Sequence, residues 1–276
     1  MKVVVGTVMY SGIHNDILDD FINAINIQNY EEFDVLIIDD GIEQNKLERI
    51  FKGINRKVIV EKTDNVGRIY LNRILLMLYA KEKGYEYLVF LDIDDSMQEE
   101  RIQKYVEQFE DRYTIYYNDM YNMQGEKIFE TLPEYIFIQD IYEGNFLGLS
   151  NSAVNLNNIS IEFINNLKEG DTNIFDWYMF SRLLLDGHEG KLVKGAKSFY
   201  RIYDNNMAGI CDGSITELNK EVMIKRKHYE MLLCYSPVYK KLYEKYKNID
   251  VTKIETTQSK FWWGKIKLCG GKNNEI

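Results

Sequence analysis

The first hundred residues alternate short apolar runs with longer stretches in which apolar residues recur every three or four positions. The runs are rich in Val, Ile, Leu and aromatic residues, as strands covered on both faces must be. They predict strands over residues 2–8, 33–38, 57–60 and 85–91. The stretches between them predict helices over residues 15–27, 44–51 and 66–82. This alternation is typical of an α/β sheet with mostly parallel strands.

The second half of the chain is less regular. It predicts strands over residues 113–118 and 127–131, joined by a turn at residues 122–125. Beyond these it predicts helices over residues 159–167 and 175–185, a strand over 191–203, and one long or two short helices over 217–247. No repeat or low-complexity linker divides the chain. We therefore expect one domain over residues 1–210 and a helical extension over residues 211–276.

Composition and charge exclude several classes of protein. No apolar stretch is long enough to span a bilayer and the N-terminus has no secretory signal, so we expect a cytoplasmic protein. The three cysteines form no C-x-x-C pair and the three histidines share no metal-ligand spacing. A net charge of −9 argues against a nucleic-acid binder, because that class gathers Lys and Arg to neutralise phosphates. An acidic protein that handles a phosphorylated ligand must instead recruit a divalent cation.

Acidic residues directly follow two of the predicted strands. Asp39-Asp40-Gly41 ends the second strand, and Asp92-Ile93-Asp94-Asp95 ends the fourth. Ligands of open α/β sheets bind outside the carboxyl ends of the strands, and carboxylate oxygens suit Mg²⁺ or Mn²⁺. A single Asp at such a position often only caps the next turn. Two acidic clusters on one predicted sheet favour a ligand and metal site.

Several motifs in the first half occur in the order found in family 2 glycosyltransferases of the GT-A fold, which the chain resembles. Residues 3–10 resemble the opening strand of that family and place Thr7 and Tyr10 at the donor. Residues 36–41 are similar to its hydrophobic-Asp-Asp-Gly segment, whose first acid, here Asp39, reads the nucleotide base. Asn65 lies in a segment that resembles the family's Asn-x-Gly loop.

The next motifs resemble those that bind the sugar diphosphate. Asn72-Arg73 stands in the place of the family's Arg-Asn pair, in reversed order, and by this resemblance Arg73 is a donor-binding candidate. Residues 90–95 look like the Asp-x-Asp segment. By that resemblance Asp92 faces the ribose or diphosphate, and Asp94 holds Mn²⁺ or Mg²⁺.

The resemblance continues to about residue 210. Phe175-Asp176-Trp177 is similar to the family's Glu-Asp-Trp helix, whose aspartate is the catalytic base, with Phe175 in place of the first acid. The alternative is that Asp176 is a helix-start residue stabilised by the helix dipole, and the order of the motifs favours the catalytic role. Residues 200–207 resemble a Tyr-Arg-x-His-x-x-Asn segment that closes over the donor, with Arg201 as the arginine and Tyr203 where many members have His.

The resemblance implies a function and a fold. It implies a GT-A, Rossmann-like open twisted sheet with helices on both faces, with a nucleotide-binding half over residues 1–97 and an acceptor half over 98–210. It also implies transfer of a sugar, with inversion, from a nucleotide diphosphate donor, most often UDP, to a glycan, lipid-linked or other acceptor.

A basic and aromatic tail over residues 260–268 suggests either contact with a membrane surface or docking on protein.

Three other functions are alternatives to a glycosyltransferase. In a haloacid dehalogenase-type phosphatase Asp92 would be the nucleophile and Asp94 an acid/base, although that motif normally follows the first strand. A nucleotidyltransferase would need a glycine-rich loop after the first strand, and none is found. An inactive sugar-nucleotide-binding module would keep the fold without the chemistry.

Overall fold

The computed structural model describes residues 1–170, 172, 174–203, 214–255, 264 and 267–268. These residues form two compact units. The first comprises the described residues of Met1–Ile136, Leu147–Asp171 and His188–Ile202. The second comprises those of Phe137–Phe146, Thr172–Gly187 and Tyr203–Ile276.

The first unit is built on one mixed sheet. Its strands are β1 Val3–Tyr10, β2 Phe33–Asp40, β3 Val58–Lys62, β4 Tyr87–Phe90, β5 Ser96–Met97, β6 Ile115–Asn122, β7 Tyr135–Ile136, β8 Ser152–Asn155 and β9 Gly190–Tyr200. The strand order is β3-β2-β1-β4-β8-β6-β9-β5, and β7 pairs with β9. Strands β3, β2, β1 and β4 are parallel to one another, whereas β8 is antiparallel to both of its neighbours. The predicted α/β class is confirmed.

Helices cover the sheet of this unit. They are α1 Asn15–Asn26, α2 Gln44–Gly53, α3 Ile69–Glu82, α4 Arg101–Gln108 and α5 Ile161–Asn166. The apolar faces of α1 and α2 share a core with Val5, Val35 and Ile37 of the sheet. Helix α3 packs close to β1 because Gly6 has no side chain. A Cβ at Gly6 would lie only 2.5 Å from Leu88 and 3.0 Å from Leu76 of α3.

The second unit is helical. It contains α6 Phe175–Leu185, α7 Ile215–Met231, α8 Pro237–Lys247, and a short antiparallel pair, β10 Ile254–Glu255 with β11 Lys267–Leu268. The side chain of Ser214 caps α7 by accepting from the Glu217 N–H at 3.2 Å, and Ser236 caps α8 in the same way. Among the described helices, none combines the length and apolarity needed to cross a membrane.

Most predicted elements are confirmed within a few residues, including α6 at its predicted bounds and the two short helices over 217–247. The predicted strand over 127–131 is wrong. The turn before it forms, with Gly125 at φ +84° and two loop N–H groups bonded to Asn122, but the segment then makes only one bridge, between Tyr121 and Lys127. It leaves the sheet because Phe129 turns into the core, where it is 1% exposed.

Candidate active site

The carboxyl ends of β1, β2 and β4 meet at one edge of the sheet. In the parallel register, Met9 pairs with Asp39 and Tyr10 pairs with Asp40. On the other side of β1, the N–H of Leu91 donates to the carbonyl oxygen of Gly6 at 3.1 Å. The acids that follow β2 and those that follow β4 therefore flank the end of β1.

Asp39 shapes the loop that follows it. One carboxylate oxygen, Oδ1, accepts from the N–H groups of Gly41 at 3.0 Å and Ile42 at 2.9 Å. Gly41 has φ +88°, a conformation that glycine adopts without strain. The turn-capping role that is common for such an aspartate is therefore present. This role uses Oδ1 of Asp39, a buried residue that is 6% exposed.

The loop that carries Asn65 is fastened to the same edge. The carboxylate of Asp40 accepts from the N–H of Gly67 at 2.8 Å. Within the loop, Thr63 Oγ1 accepts from the Asn65 N–H at 3.0 Å, and the Asn72 side chain donates to the Asn65 carbonyl at 3.3 Å. These bonds place Asn65, half-buried, next to the ends of β2 and β3.

Arg73 of α3 reaches the loop after β4. Its Nη2 donates to the two carboxylate oxygens of Asp92 at 3.2 and 3.3 Å. The backbone N–H of Asp92 is in turn held by Ser150 Oγ at 2.9 Å. Sequence reasoning placed both Arg73 and Asp92 at the donor, and the structure brings them together.

Asp94 and Asp95 lie beside this pair and carry strongly perturbed carboxyl groups. Burial, and then the charge of the nearby Asp92 carboxylate, raise the pKa of Asp94 to about 6. Burial raises the pKa of Asp95 well above its ordinary value, and the charges of Asp94 and Asp92 raise it further. Such a concentration of negative charge favours a cation or a positively charged side chain nearby.

Arg201 approaches the acids from the end of β9. Its backbone N–H donates to Asp95 Oδ1 at 2.9 Å, and its Nε donates to the Asp94 carbonyl oxygen at 2.9 Å. Its Nη2 lies 2.5 Å from a carboxylate oxygen of Asp20 on α1. The strand predicted over 191–203 ends at Tyr200, where Arg201 turns to these partners.

Thr7 and Tyr10 occupy opposite faces of β1, as strand alternation requires. Thr7 is 2% exposed, and its hydroxyl has no hydrogen-bond partner among the described residues. Tyr10 is 42% exposed at the edge of the sheet. Burial, and then the charges of Asp94 and Asp92, raise the pKa of the Tyr10 phenol.

The remaining predicted residues lie in the second unit or outside the described residues. Asp176 lies in the first turn of α6, where its Oδ1 accepts from the Trp177 N–H at 2.8 Å. Tyr203 is 39% exposed. Residues 204–207 of the segment that resembles the donor-closing motif, and the aromatic residues 261–263 of the tail, lie outside the described residues.

The residues present fit a divalent cation that is held partly by protein carboxylates and partly by the phosphates of a bound substrate. Over the described part of the chain, no group of three or more His, Cys, Asp or Glu side chains is arranged to hold a metal ion. Mg²⁺ is nevertheless commonly bound by one or two carboxylates, with substrate phosphates and water completing the shell. Asp94 and Asp92 could supply those carboxylates, because they lie two residues apart in the loop after β4.

Sequence reasoning assigned no role to three side chains of the site. Ser150 holds the backbone of Asp92, Asp95 receives the Arg201 N–H, and Asp20 pairs with the Arg201 guanidinium. Asp95 adjoins the Asp-x-Asp segment, so its position was a usable signal. Ser150 and Asp20 had no comparable signal, because their contacts depend on how distant elements pack.

Comparisons with known proteins bear on the family and the fold of this chain. The family model described as "Glycosyl transferase family 2" matches residues 5–161. No curated protein matches the sequence.

Solved structures match along most of the chain. Residues 1–349 of S. aureus TarS, in complex with UDP-GlcNAc, align with a TM-score of 0.61 and 14% identity over 90% of this chain and 72% of that one. The mannosyltransferase PcManGT from Pyrobaculum calidifontis, in complex with GDP-Man and Mn²⁺, aligns with a TM-score of 0.54 and 11% identity over 88% and 68%. GalNAc-T7 with UDP, GalNAc and Mn²⁺ aligns with a TM-score of 0.55 and 11% identity, over 91% of this chain and 52% of that one. At these identities the similarity shows the fold alone, and that fold is GT-A.

Proposed function

Since the chain belongs to glycosyl transferase family 2, we propose that it transfers a sugar from a UDP-linked donor to a hydroxyl group of a glycan or lipid-linked acceptor, with inversion at the anomeric carbon. The observation that carries the proposal is the convergence of Asp39, Asp92 and Asp94 at one edge of the sheet. The TarS and PcManGT complexes contain UDP-GlcNAc and GDP-Man, which supports a nucleotide-sugar donor on this fold.

The donor's nucleoside would lie at the ends of β1, β2 and β3. Asp39 has Oδ1 bonded to its own loop, so a contact with the base would be made by Oδ2. Thr7, Tyr10 and Asn65 complete this part of the proposed site. A buried hydroxyl with no partner, such as that of Thr7, is costly, and a bound ligand or water that satisfies it would remove the cost.

The diphosphate would lie at the acids and arginines after β4 and β9. Arg73 and Arg201 supply N–H donors and positive charge, and Asp92 orients Arg73. Asp94, with Asp92 beside it, would hold Mn²⁺ or Mg²⁺, which when bound neutralises the charge that develops on the departing diphosphate. We propose that the enzyme depends on this cation.

Asp176 is the proposed general base. As the acceptor oxygen bonds to the anomeric carbon, the bond from that carbon to the diphosphate oxygen breaks, and the nucleotide diphosphate leaves with the bonding electrons. The acceptor's hydroxyl proton goes to a carboxylate oxygen of Asp176. A single displacement of this kind inverts the anomeric carbon.

Domain roles and location are part of the same proposal. Residues 1–97 would bind the nucleotide, residues 98–210 would face the acceptor, and residues 211–276 would form an extension. The enzyme would work in the cytoplasm, with the tail over 260–268 meeting an anionic membrane surface that carries a lipid-linked acceptor for a surface polysaccharide. Flotation of the full chain with liposomes, compared with a version ending at residue 257, tests the tail. Equal flotation of the two would remove its role.

Membership of this family argues against the two alternatives of a phosphatase and a nucleotidyltransferase, and no observation favours either of them. A panel of sugar nucleotides with Mn²⁺ tests the proposal against an inactive binding module. We expect one UDP-sugar to raise the melting temperature and to be hydrolysed slowly to UDP. Stabilisation without hydrolysis by any donor would favour the binding module. The proposal would be overturned if no sugar nucleotide raised the melting temperature or was hydrolysed, and the protein instead released phosphate from an aryl phosphate.

A further inference from the structure

The first turn of helix α6 carries Asp176, and the side chain of the following residue, Trp177, holds this turn in place. The N-cap residue Ile174 makes no side-chain capping bond, although Asp176 Oδ1 accepts from the Trp177 N–H within the first turn. Trp177 is completely buried, and its indole Nε1 donates to the carbonyl oxygen of Ile141 at 2.8 Å. The indole therefore anchors the turn that carries Asp176.

Helix α7 provides the surface on which this indole lies. The imidazole of His228 stacks on Trp177 with ring centroids 3.9 Å apart and planes 18° apart. The Nζ of Lys225 lies 5.3 Å from the centroid of the same indole. Residues three apart lie on one face of a helix, so α7 presents a cation and an aromatic ring together.

Lys225 is in turn bonded to the segment that holds Trp177. Its Nζ donates to the carbonyl oxygen of Glu143 at 2.6 Å, two residues along from Ile141. The carboxylate of Glu143 accepts from Lys245 at 2.5 Å and from the Tyr246 hydroxyl at 3.2 Å, both on α8. Helices α7 and α8 thus fix the backbone around Ile141 as well as the indole bonded to it.

Stability alone does not account for these polar groups. Lys225 and His228 are both completely buried. Neither ring nitrogen of His228 has a hydrogen-bond partner in the described part of the chain, and burial lowers the pKa of Lys225 to about 8. Apolar residues of similar volume often stabilise a core at least as well as buried ionic groups, which are retained in some proteins because they specify geometry.

We infer that Lys225 and His228 are positioning residues for Asp176: by fixing the indole of Trp177, they fix the first turn of α6 and the direction of the Asp176 carboxylate. The inference rests on the proposed role of Asp176 as the base. Both residues are buried within their own unit, so they act through Trp177. Displacement of a catalytic group by about 1 Å can reduce a rate by on the order of 10²-fold, which is why such support matters.

Kinetics of donor hydrolysis by the full chain test the inference. Lys225→Met keeps the length of the side chain without its charge, and His228→Leu removes the stacked ring. We expect kcat to fall on the order of tenfold in each folded variant, with KM for the donor within about twofold. The urea midpoint of Lys225→Met should fall, because the Glu143 carbonyl oxygen and the mostly buried Glu221 carboxylate lose their partner. His228→Phe, which retains a stacking ring, should restore kcat. Lys227→Met, at an exposed position of the same helix, is the matched control.

Amide hydrogen exchange over residues 175–178 provides a readout that does not need activity. Exchange should be faster in Lys225→Met and His228→Leu than in wild type, His228→Phe or Lys227→Met. Unchanged exchange, or unchanged kcat in the folded variants, overturns the inference. If the wild-type protein hydrolyses no donor, the proposed function fails on that result, and the exchange rates still decide whether α7 fixes this turn.

Discussion

The guanidinium of Arg73 lies within hydrogen-bonding distance of both carboxylate oxygens of Asp92, at 3.2 and 3.3 Å, and so joins α3 to the loop after β4. Arg73 also holds down the pKa of the adjacent Asp94, against the effects of burial and of Asp92. One arginine therefore pairs with one carboxylate and lowers the pKa of a second at the edge of the sheet where the donor is proposed to bind.

Replacing Arg73 tests this arrangement. Arg73→Gln should raise the dissociation constant for UDP about tenfold, because the diphosphate loses a charged donor and meets an Asp92 carboxylate that is no longer paired. Isothermal titration with UDP and Mn²⁺ measures the change. Arg49→Gln, which breaks the exposed pair of Arg49 with Asp19 in the same unit, should bind UDP as wild type does. Equal affinities for all three proteins would remove Arg73 from the donor site.

Asp39 allows its base contact to be separated from its structural role. Asp39→Asn can still accept from the N–H groups of Gly41 and Ile42 through its amide oxygen. Its NH₂ group would then oppose a base N–H instead of accepting from it. We expect an unchanged melting temperature and UDP affinity weaker by about tenfold or more. Wild-type affinity in this variant would show that Asp39 serves only its own loop.

The proposed cation has a direct test at Asp94. EDTA should abolish donor hydrolysis, and Mn²⁺ or Mg²⁺ should restore it in wild type. Asp94→Ala should remain inactive at every metal concentration, because the carboxylate that holds the cation is gone. Full activity in EDTA would show that the arginines alone support departure of the diphosphate.

The first half of the fold was predictable because its strands are apolar on both faces and its acids directly follow them. Asp39, Asp92 and Asp94 were placed at one edge by that rule alone. The rule does not extend to α4, which was missed because its buried face combines Ile102 and Tyr105 with Arg101. This arginine is 0% exposed and bonds to Asn118 at 3.0 Å, a contact that no periodicity reveals.

Other elements were hidden by polar residues in the core. Strand β8 reads Ser-Ala-Val-Asn, yet it is buried between β4 and β6, where Ser152 Oγ bonds to the Gly148 carbonyl at 2.7 Å. Helix α7 was predicted as a helix, but nothing in its sequence indicated that Lys225 and His228 are buried. A buried polar group becomes recognisable only when its partners are known, and those partners lie far away in the sequence.

His228 makes the stability of the protein depend on pH. Burial, and then the charge of Lys225, hold the pKa of His228 well below its ordinary value, so the folded state keeps the imidazole neutral. An unfolded chain takes up the proton below about pH 6.5. The free energy of unfolding should therefore fall as pH drops below about 6.5, by at most about 1.4 kcal/mol per pH unit from this group.

Urea denaturation at pH 7 and pH 5 measures that dependence. The wild-type protein should lose more stability between the two values than His228→Phe, by about 1 kcal/mol or more. Lys225 faces the same cluster and remains charged at both values, since its pKa is about 8. Identical losses in the two proteins would show that His228 takes up its proton as easily when folded as when unfolded.

The central claim is that the chain transfers sugar with Asp176 as its base, and hydrolysis of the UDP-sugar donor by Asp176→Asn tests it most directly. The amide keeps the shape of the side chain and can still accept from the Trp177 N–H, but it cannot take a proton. The chemical step should fall by on the order of 10² or more while donor affinity stays at the wild-type value. Folded Asp176→Asn protein that hydrolyses the donor at the wild-type rate would contradict the claim. The base would then be sought at Asp119, which pairs with Lys127 at 2.9 Å, or at Asp171, outside the described residues.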